Sequence, residues 1–195
     1  MNKSRLEAFS DGVLAIIITI MVLEIKVPES ASWDALKELL PIFVCYFTSF
    51  LFIGIYWGNH HNLLQAVKTV NAGIMLANLN LLFWLSLLPF ATNWMGKNHF
   101  APNTIIVYAA EAILCGLSYT ILENKILKST RGTTELKDAL RKQTVKGFIS
   151  VGADIIAILM AFVNPKISIC LFIFQSIIWL VPDKNVERAL KDQKE

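Results

Sequence analysis

The feature that most constrains this chain is a succession of long apolar runs separated by short charged segments. Hydrophobic residues make up 55% of its 195 residues, whereas a soluble domain has about 45–50% apolar residues even when Gly is counted. A membrane-spanning helix needs about 20 mostly apolar residues. The sequence therefore predicts an all-α membrane protein with six transmembrane helices and no separate soluble domain.

Capping, proline and charge signals at the ends of the apolar runs predict the helix boundaries. The six helices are expected at about 5–27, 33–64, 72–95, 103–127, 144–163 and 166–181, in one transmembrane domain over residues 1–195. Pro41 and Pro89 are expected to kink the second and third helices. The charged stretch 128–146 reads as a solvated connector, partly helical.

Basic residues indicate the orientation, because Lys and Arg collect in cytoplasmic loops. With a cytoplasmic N-terminus, every Lys and Arg except Lys26, Lys37, Lys97 and Lys166 falls in a cytoplasmic segment. Both termini are therefore predicted to be cytoplasmic. The first apolar run has no small-residue cleavage site after it, so we expect a retained helix rather than a signal peptide.

Several function classes find no support in the sequence. It has no Gly-rich phosphate loop, no Ser-His-Asp pattern, no HExxH motif and no TVGYG-like carbonyl filter, so no enzyme activity is expected. The three Cys residues lie in apolar runs without CxxC spacing, and His60 and His61 do not share a helix face. We therefore expect no metal, no cofactor and no nucleic-acid partner.

Polar residues open the first membrane helix, at Glu7, Ser10 and Asp11. Ionisable groups inside a membrane cost about 2.5–3.5 kcal/mol, so a retained one usually faces protein or water. Two interpretations stay open. The acidic groups could simply start the helix at the membrane surface and complement its dipole, or they could bond the polar cluster at 57–62, which lies on the same side of the membrane.

An apolar stripe lies on the opposite face of this helix. Its members are Gly12, Ile16, Thr19, Ile20 and Leu23. At 100° per residue, Asp11 lies about 140° around the helix from Ile16. Periodicity alone leaves two uses for the stripe: packing against lipid or neighbouring helices, or lining a pore.

Four segments together resemble a known family. They are Arg5 with Phe9-Ser10-Asp11, the LEIKVP segment at 23–28, YWGNHH at 56–61 and LLPF at 87–90. On these residues the chain is similar, over essentially its whole length, to the prokaryotic branch of the lysosomal potassium-channel family called transmembrane protein 175. Animal members carry two six-helix repeats and work as dimers. The single repeat here implies a homotetramer in a prokaryotic plasma membrane.

The resemblance also implies roles for individual residues. Helix 1 would line a central pore, with apolar rings at Ile16, Ile20 and Leu23 and a hydroxyl ring at Thr19. The structural signature Arg5, Phe9, Ser10 and Asp11 would hold helix 1 in place, with His60, His61, Asn80 and Trp84 as candidate partners. The implied activity is passive, weakly potassium-selective conduction of monovalent cations.

A different class of function stays open beside the channel. Asp11, Glu111 and the two His residues could serve a proton- or ion-coupled secondary transporter, since intramembrane ionisable groups often mark such pathways. The sequence shows neither the inverted repeat nor the paired broken helices that transporters carry. Glu111 and Asp154 are equally compatible with ion sites and with interhelical polar contacts. A membrane scaffold or enzyme subunit is a third alternative.

Overall fold

The computed structural model describes residues 2–67, 69–129 and 134–180, and gives only the backbone helix for 134–144. These residues form seven α-helices: α1 (Lys3–Leu23), α2 (Trp33–Glu38), α3 (Leu40–Gln65), α4 (Ala72–Lys97), α5 (Pro102–Ser129), α6 (Thr134–Ala161) and α7 (Pro165–Leu180). Among the described helices, α1, α3, α4 and α5 are long and apolar enough to cross a membrane, and α7 is a shorter apolar helix. The chain is an all-helical, multi-pass integral membrane protein.

The predicted second helix is in fact two helices, α2 and α3, which meet at Leu39. Pro41 is the second residue of α3, a position where its missing N–H removes no helical hydrogen bond. The expected kink at Pro41 is therefore replaced by a helix start. The Ser32 hydroxyl accepts the Ala35 N–H at 3.2 Å and caps α2.

Two other boundaries differ from the prediction. α1 ends at Leu23 rather than near 27, and the side chain of Glu24, its C-cap residue, accepts a hydrogen bond from Asn93 of α4 at 2.7 Å. α6 begins at Thr134 rather than near 144, because the charged stretch contains good helix formers such as Leu, Lys and Arg. The helical part expected within 128–146 is continuous with α6. The predicted tail beyond 180 lies outside the described residues, as does Lys68.

Polar contacts define the direction of the first four long helices. α1 and α4 run in the same direction, because Ser10 contacts Asn78 near the start of both and Glu24 contacts Asn93 near their ends. α5 runs opposite to α4, since the Asn80 amide donates to Ser118 near the end of α5. α3 also runs opposite to α4.

Two further contacts order the remaining helices. Trp179 Nε1 donates to Ser150 Oγ at 2.7 Å, and Ser168 Oγ donates to the Ala157 carbonyl at 2.7 Å. α6 and α7 are therefore antiparallel. α4 packs against α1, α3 and α5, and α3 packs against α1, α2, α4, α5 and α7. Among the described helices, α1 packs only against α3 and α4.

Close packing between α3 and α4 depends on a glycine. A Cβ atom at Gly96 would lie 2.8 Å from Ile42 Cα, which is too close for any side chain. Elsewhere along α4 the core is apolar, with Leu81, Leu85 and Leu88 fully buried. This interior holds α3, α4 and α5 together, and α1 lies at the periphery of the described helices with one side uncovered by them.

Candidate functional site

The inner face of α1 is buried against α3 and α4. Its residues are Leu6, Ser10, Leu14, Ile17 and Met21, spaced three or four apart. This spacing forms one stripe along a helix. The inner face fixes the rotation of α1 about its axis and so decides which residues point away from the bundle.

The outer face of α1 carries the predicted pore residues. Ile16 is 58% exposed, Ile20 43% and Leu23 79% on the single chain. The Thr19 hydroxyl donates to the Ile16 carbonyl at 2.9 Å, within its own helix. Ile16 and its neighbour Ile17 therefore have opposite environments, because Ile17 is only 3% exposed.

A shallow groove runs beside this outer face, between α1 and α4. It has a volume of about 480 Å³. Ile16, Ile20, Phe90 and Pro89 contribute its apolar wall, and Ser86 and Asn93 supply polar groups. An apolar groove of this kind on a membrane helix pair can receive lipid or a helix of another subunit.

Ser10 belongs to a buried hydrogen-bond chain that joins three helices. Ser10 Oγ donates to the Leu6 carbonyl at 2.8 Å and accepts from Asn78 Nδ2 at 3.0 Å. Asn78 Oδ1 in turn lies 2.6 Å from His60 Nε2. Because Asn78 uses both ends of its amide, it fixes α1, α3 and α4 at one depth.

Asp11 makes a separate contact, beside the series of hydrogen bonds that joins Ser10, Asn78 and His60. Its Oδ1 accepts a hydrogen bond from Trp57 Nε1 on α3 at 2.9 Å, and both side chains are exposed on the single chain. Lys3 Nζ donates to the Gln65 carbonyl at 3.1 Å and ties the start of α1 to the end of α3. Arg5 and Phe9, the other signature residues, are exposed.

The structure places the four candidate partners in different surroundings. His60 reaches Ser10 through Asn78, whereas His61 pairs with Gln65 at 2.8 Å. Asn80 bonds Ser118 of α5. The ring of Trp84 is half-buried and meets Phe83 edge-on.

Sequence reasoning did not single out Asn78 and Trp57 as the residues that contact the signature. The sequence did contain a sign of these contacts on α3. Trp57 and His60 are three residues apart, so they share a face of that helix. The choice between Asn78 and Asn80 required the rotation of α4, because these two residues point in directions about 160° apart.

Other polar groups lie deeper in the bundle. Ser49, Thr92 and Tyr108 form a buried hydroxyl cluster, with Ser49 Oγ 2.7 Å from Thr92 Oγ1 and 3.0 Å from the Tyr108 hydroxyl. Both carboxyl oxygens of Glu111 and Oδ1 of Asp154 are buried without a hydrogen-bond partner. Within the described part of the chain, no group of three His, Cys, Asp or Glu side chains could hold a metal ion.

Comparisons with known proteins agree with this arrangement. A family model described as the endosomal/lysosomal potassium channel TMEM175 matches residues 5–89. These residues run from α1 into α4 and include the Ser10, Asn78 and His60 chain.

Individual relatives extend the similarity to the whole chain. A potassium channel of Chryseobacterium sp. (strain P1-3) is 50% identical over 192 residues, which is 98% of this chain and 100% of that relative. A potassium channel of Streptomyces collinus is 44% identical over 131 residues, covering 63% of this chain and 64% of that protein.

A solved structure has the same fold. The crystal structure of a lysosomal potassium-selective channel TMEM175 homolog from Chamaesiphon minutus matches with a TM-score of 0.78 and 26% sequence identity. The match covers 91% of this chain and 96% of that one.

Proposed function

Because this chain belongs to the TMEM175 family of potassium channels, we propose that four copies assemble around a central pore lined by α1, through which potassium passes passively. The protein is a potassium channel and not an enzyme. The tetramer, the pore residues and the degree of selectivity are the proposed parts.

The observation that carries the proposal is the division of α1 into two apolar faces. α1 packs on one side against the other described helices, and its opposite side, with Ile16, Ile20 and Leu23, carries an apolar stripe that no described helix covers. Ile20 lies about 6 Å along the axis from Ile16, and Leu23 about 4.5 Å further. Four copies facing one axis would form three successive apolar rings.

The stripe would act as the constriction in place of a carbonyl filter. An ion crossing a narrow apolar ring loses part of its hydration shell, and such a ring can close by dewetting. Apolar side chains offer few oxygen ligands for a dehydrated ion. We therefore expect only weak discrimination of potassium from sodium.

The same proposal includes six spans, α1 and α3 to α7, with both termini cytoplasmic. The alternating helix directions support it, since Lys3 and Arg5 at the start of α1 lie on the same side as Lys125 and Lys128 near the end of α5. The proposed order of spans assigns every Lys and Arg of the sequence except Lys26, Lys37, Lys97 and Lys166 to that side, as expected of the cytoplasm.

Replacing Ile16 with Asn tests the pore. The amide would widen and wet the first ring, so we expect higher single-channel conductance and a lower preference for potassium. The measurement is planar-bilayer recording of purified protein, with reversal potentials under potassium/sodium bi-ionic conditions. Size-exclusion chromatography with light scattering should give four times the 21.9 kDa chain mass for wild type and variant alike.

Leu117→Asn is the matched control. Leu117 lies on α5, away from the proposed axis, and is 47% exposed. The same polar group there should leave conductance and reversal potential unchanged in an assembled channel. Unchanged permeation in a correctly assembled Ile16→Asn channel would remove Ile16 from the pore.

The secondary transporter is a second candidate because Glu111 is buried with both oxygens unpartnered. Its proposed groups are not gathered in one place: Asp11 lies on α1 and Glu111 on α5, and these helices do not pack against each other. Discrete conductance steps in the bilayer recording distinguish a channel from a carrier.

A further inference from the structure

The exposed stripe of α1 continues from Ile16 back to the start of the helix. Its members there, at steps of four, three and four residues, are Arg5, Phe9, Gly12 and Ile16. All four are exposed on the single chain. At 100° per residue, Arg5 and Phe9 each lie about 20° around α1 from Ile16. The face proposed to line the pore therefore carries a charged residue in its first turn.

The other charged residues at the start of α1 are held by contacts within the chain. Lys3 Nζ lies 3.8 Å from Glu7 Oε1 and donates to the Gln65 carbonyl at 3.1 Å. Asp11 accepts a hydrogen bond from α3 at 2.9 Å. The Arg5 side chain makes no hydrogen bond and no ion pair with any residue that the structure describes. Because a guanidinium is always charged in proteins, Arg5 carries a positive charge that no described residue balances.

We propose, as an extension that rests on the proposed function, that four Arg5 side chains form a cationic ring at the cytoplasmic mouth of the pore. Arg5 lies about 16 Å along α1 from Ile16, at 1.5 Å per residue, so the ring is separate from the apolar constriction. Like charges repel, and the ring lowers the potassium concentration at this entrance. Outward current is therefore smaller than inward current at equal and opposite voltages.

Recording from inside-out patches of cells that express the full-length channel tests the ring, because the bath then contacts the cytoplasmic side. With about 0.1 M potassium on both sides, the Debye length is about 10 Å. Arg5→Gln should raise the ratio of outward to inward single-channel current by roughly twofold or more, whereas Arg5→Lys should keep the wild-type ratio. At about 1 M potassium, where the Debye length is about 3 Å, wild type and Arg5→Gln should have nearly the same ratio.

Lys128→Gln is the matched control for net charge. It removes one positive charge per subunit from the same end of the bundle, near the end of α5. Among the described helices, α5 does not pack against α1. Two interhelical spacings of about 8–10 Å each separate Lys128 from α1, which exceeds the Debye length at about 0.1 M. This variant should therefore keep the wild-type current ratio.

Arg5→Cys in a Cys170→Ser background gives a second test on channels that have already assembled. A cationic methanethiosulfonate reagent in the bath should lower the current ratio of this variant, because it restores the positive charge. An anionic reagent should raise the ratio, since it attracts potassium to the same entrance. Equal effects of the two reagents would mean that Arg5 acts through its size or its packing, and would overturn the ring.

Size-exclusion chromatography should show the same assembly for every variant. The ring is wrong if Arg5→Gln leaves the current ratio unchanged at about 0.1 M potassium, if Lys128→Gln raises it equally, or if the effect persists at about 1 M. Ile16→Asn in the same patches keeps the two proposals apart. Permeation that responds to Ile16→Asn but not to Arg5→Gln overturns only the ring, whereas permeation that responds to neither overturns the pore face of α1.

Discussion

For single residues, the position of α1 depends on the hydrogen bonds that its side chains make with α3 and α4. Asn78 is completely buried and contacts both Ser10 and His60, so it joins α1 to α3 inside a low-dielectric interior where a lost bond is costly. Asp11 does not take part in the hydrogen bonds among Ser10, Asn78 and His60, and its one described hydrogen-bond partner is Trp57. The hydrogen bonds of Asn78 and the hydrogen bond of Asp11 both hold the start of α1. Asn78 is buried, whereas Asp11 and Trp57 are exposed on the single chain.

Replacing Asp11 with Ala should reduce assembly more than it changes ion preference. The variant loses the bond to Trp57, at a cost of about 1.5 kcal/mol, the lower end for hydrogen bonds to charged groups because both partners are exposed on the single chain. Tetramer yield by size-exclusion chromatography and reversal potential should be measured together. Asp11→Asn keeps the acceptor oxygen and should recover the yield.

An Asp11→Ala channel that assembles normally but has an altered reversal potential would contradict this interpretation. It would place Asp11 in the conduction path instead. Asn78→Ala provides the comparison for a fully buried partner, and its loss of assembly should exceed that of Asp11→Ala.

At the scale of the helix, α1 is defined by two faces with different partners. Its inner face packs on α3 and α4, and no other helix in the described part of the chain covers its outer face. The adjacent residues Ile16 and Ile17 separate the two faces, because one helical step turns a side chain by 100°. A substitution should therefore affect stability on one face and permeation on the other.

Ile17→Ala should destabilise the subunit by about 2–5 kcal/mol, as expected for a large-to-small change at a buried site. Ile16→Ala should cost much less, since Ile16 is 58% exposed on the single chain. The unfolding temperature of the two variants in one detergent measures the difference. Equal destabilisation would mean that Ile16 is also a packing residue, buried against another subunit.

At the scale of the whole molecule, function depends on how the bundle sits in the membrane. The α1 start, the α3 end, the α4 start and the α5 end lie together, and the loop between α1 and α2 lies at the other side. If the spans follow the proposed order, the sequence assigns every Lys and Arg except Lys26, Lys37, Lys97 and Lys166 to the first of these sides, as expected of the cytoplasm.

Cysteine labelling tests the orientation in cells. In a background with Cys170, the exposed native cysteine, changed to Ser, Lys3→Cys should resist an impermeant thiol reagent added outside. Ser30→Cys, in the exposed loop between α1 and α2, should react and is the positive control. Cysteine at position 194 should resist labelling as Lys3→Cys does, and labelling of either from outside would contradict a cytoplasmic location of the termini.

The class of protein and most of its long helices could be predicted from the amino-acid sequence alone. Apolar runs of spanning length leave no alternative to membrane helices, because backbone groups in lipid must be satisfied within the segment. The same local rules predicted the long helices to within a few residues. These rules failed to predict the helix starts after Leu39 and at Thr134. There the surrounding sequence, and not the start of an apolar run, determines where a helix begins.

Which polar groups contact each other could not be predicted from the sequence and is seen only in the folded chain. Asn78 and Asn80 look equivalent in sequence, yet Asn78 contacts Ser10 and Asn80 contacts Ser118, because the rotation of α4 is set by packing along its whole length. The pocket at Asp154 is likewise lined by α3 together with the later helices α5, α6 and α7. Such contacts depend on the joint orientation of rigid helices, and the periodicity of a single segment carries no information about its neighbours' rotation.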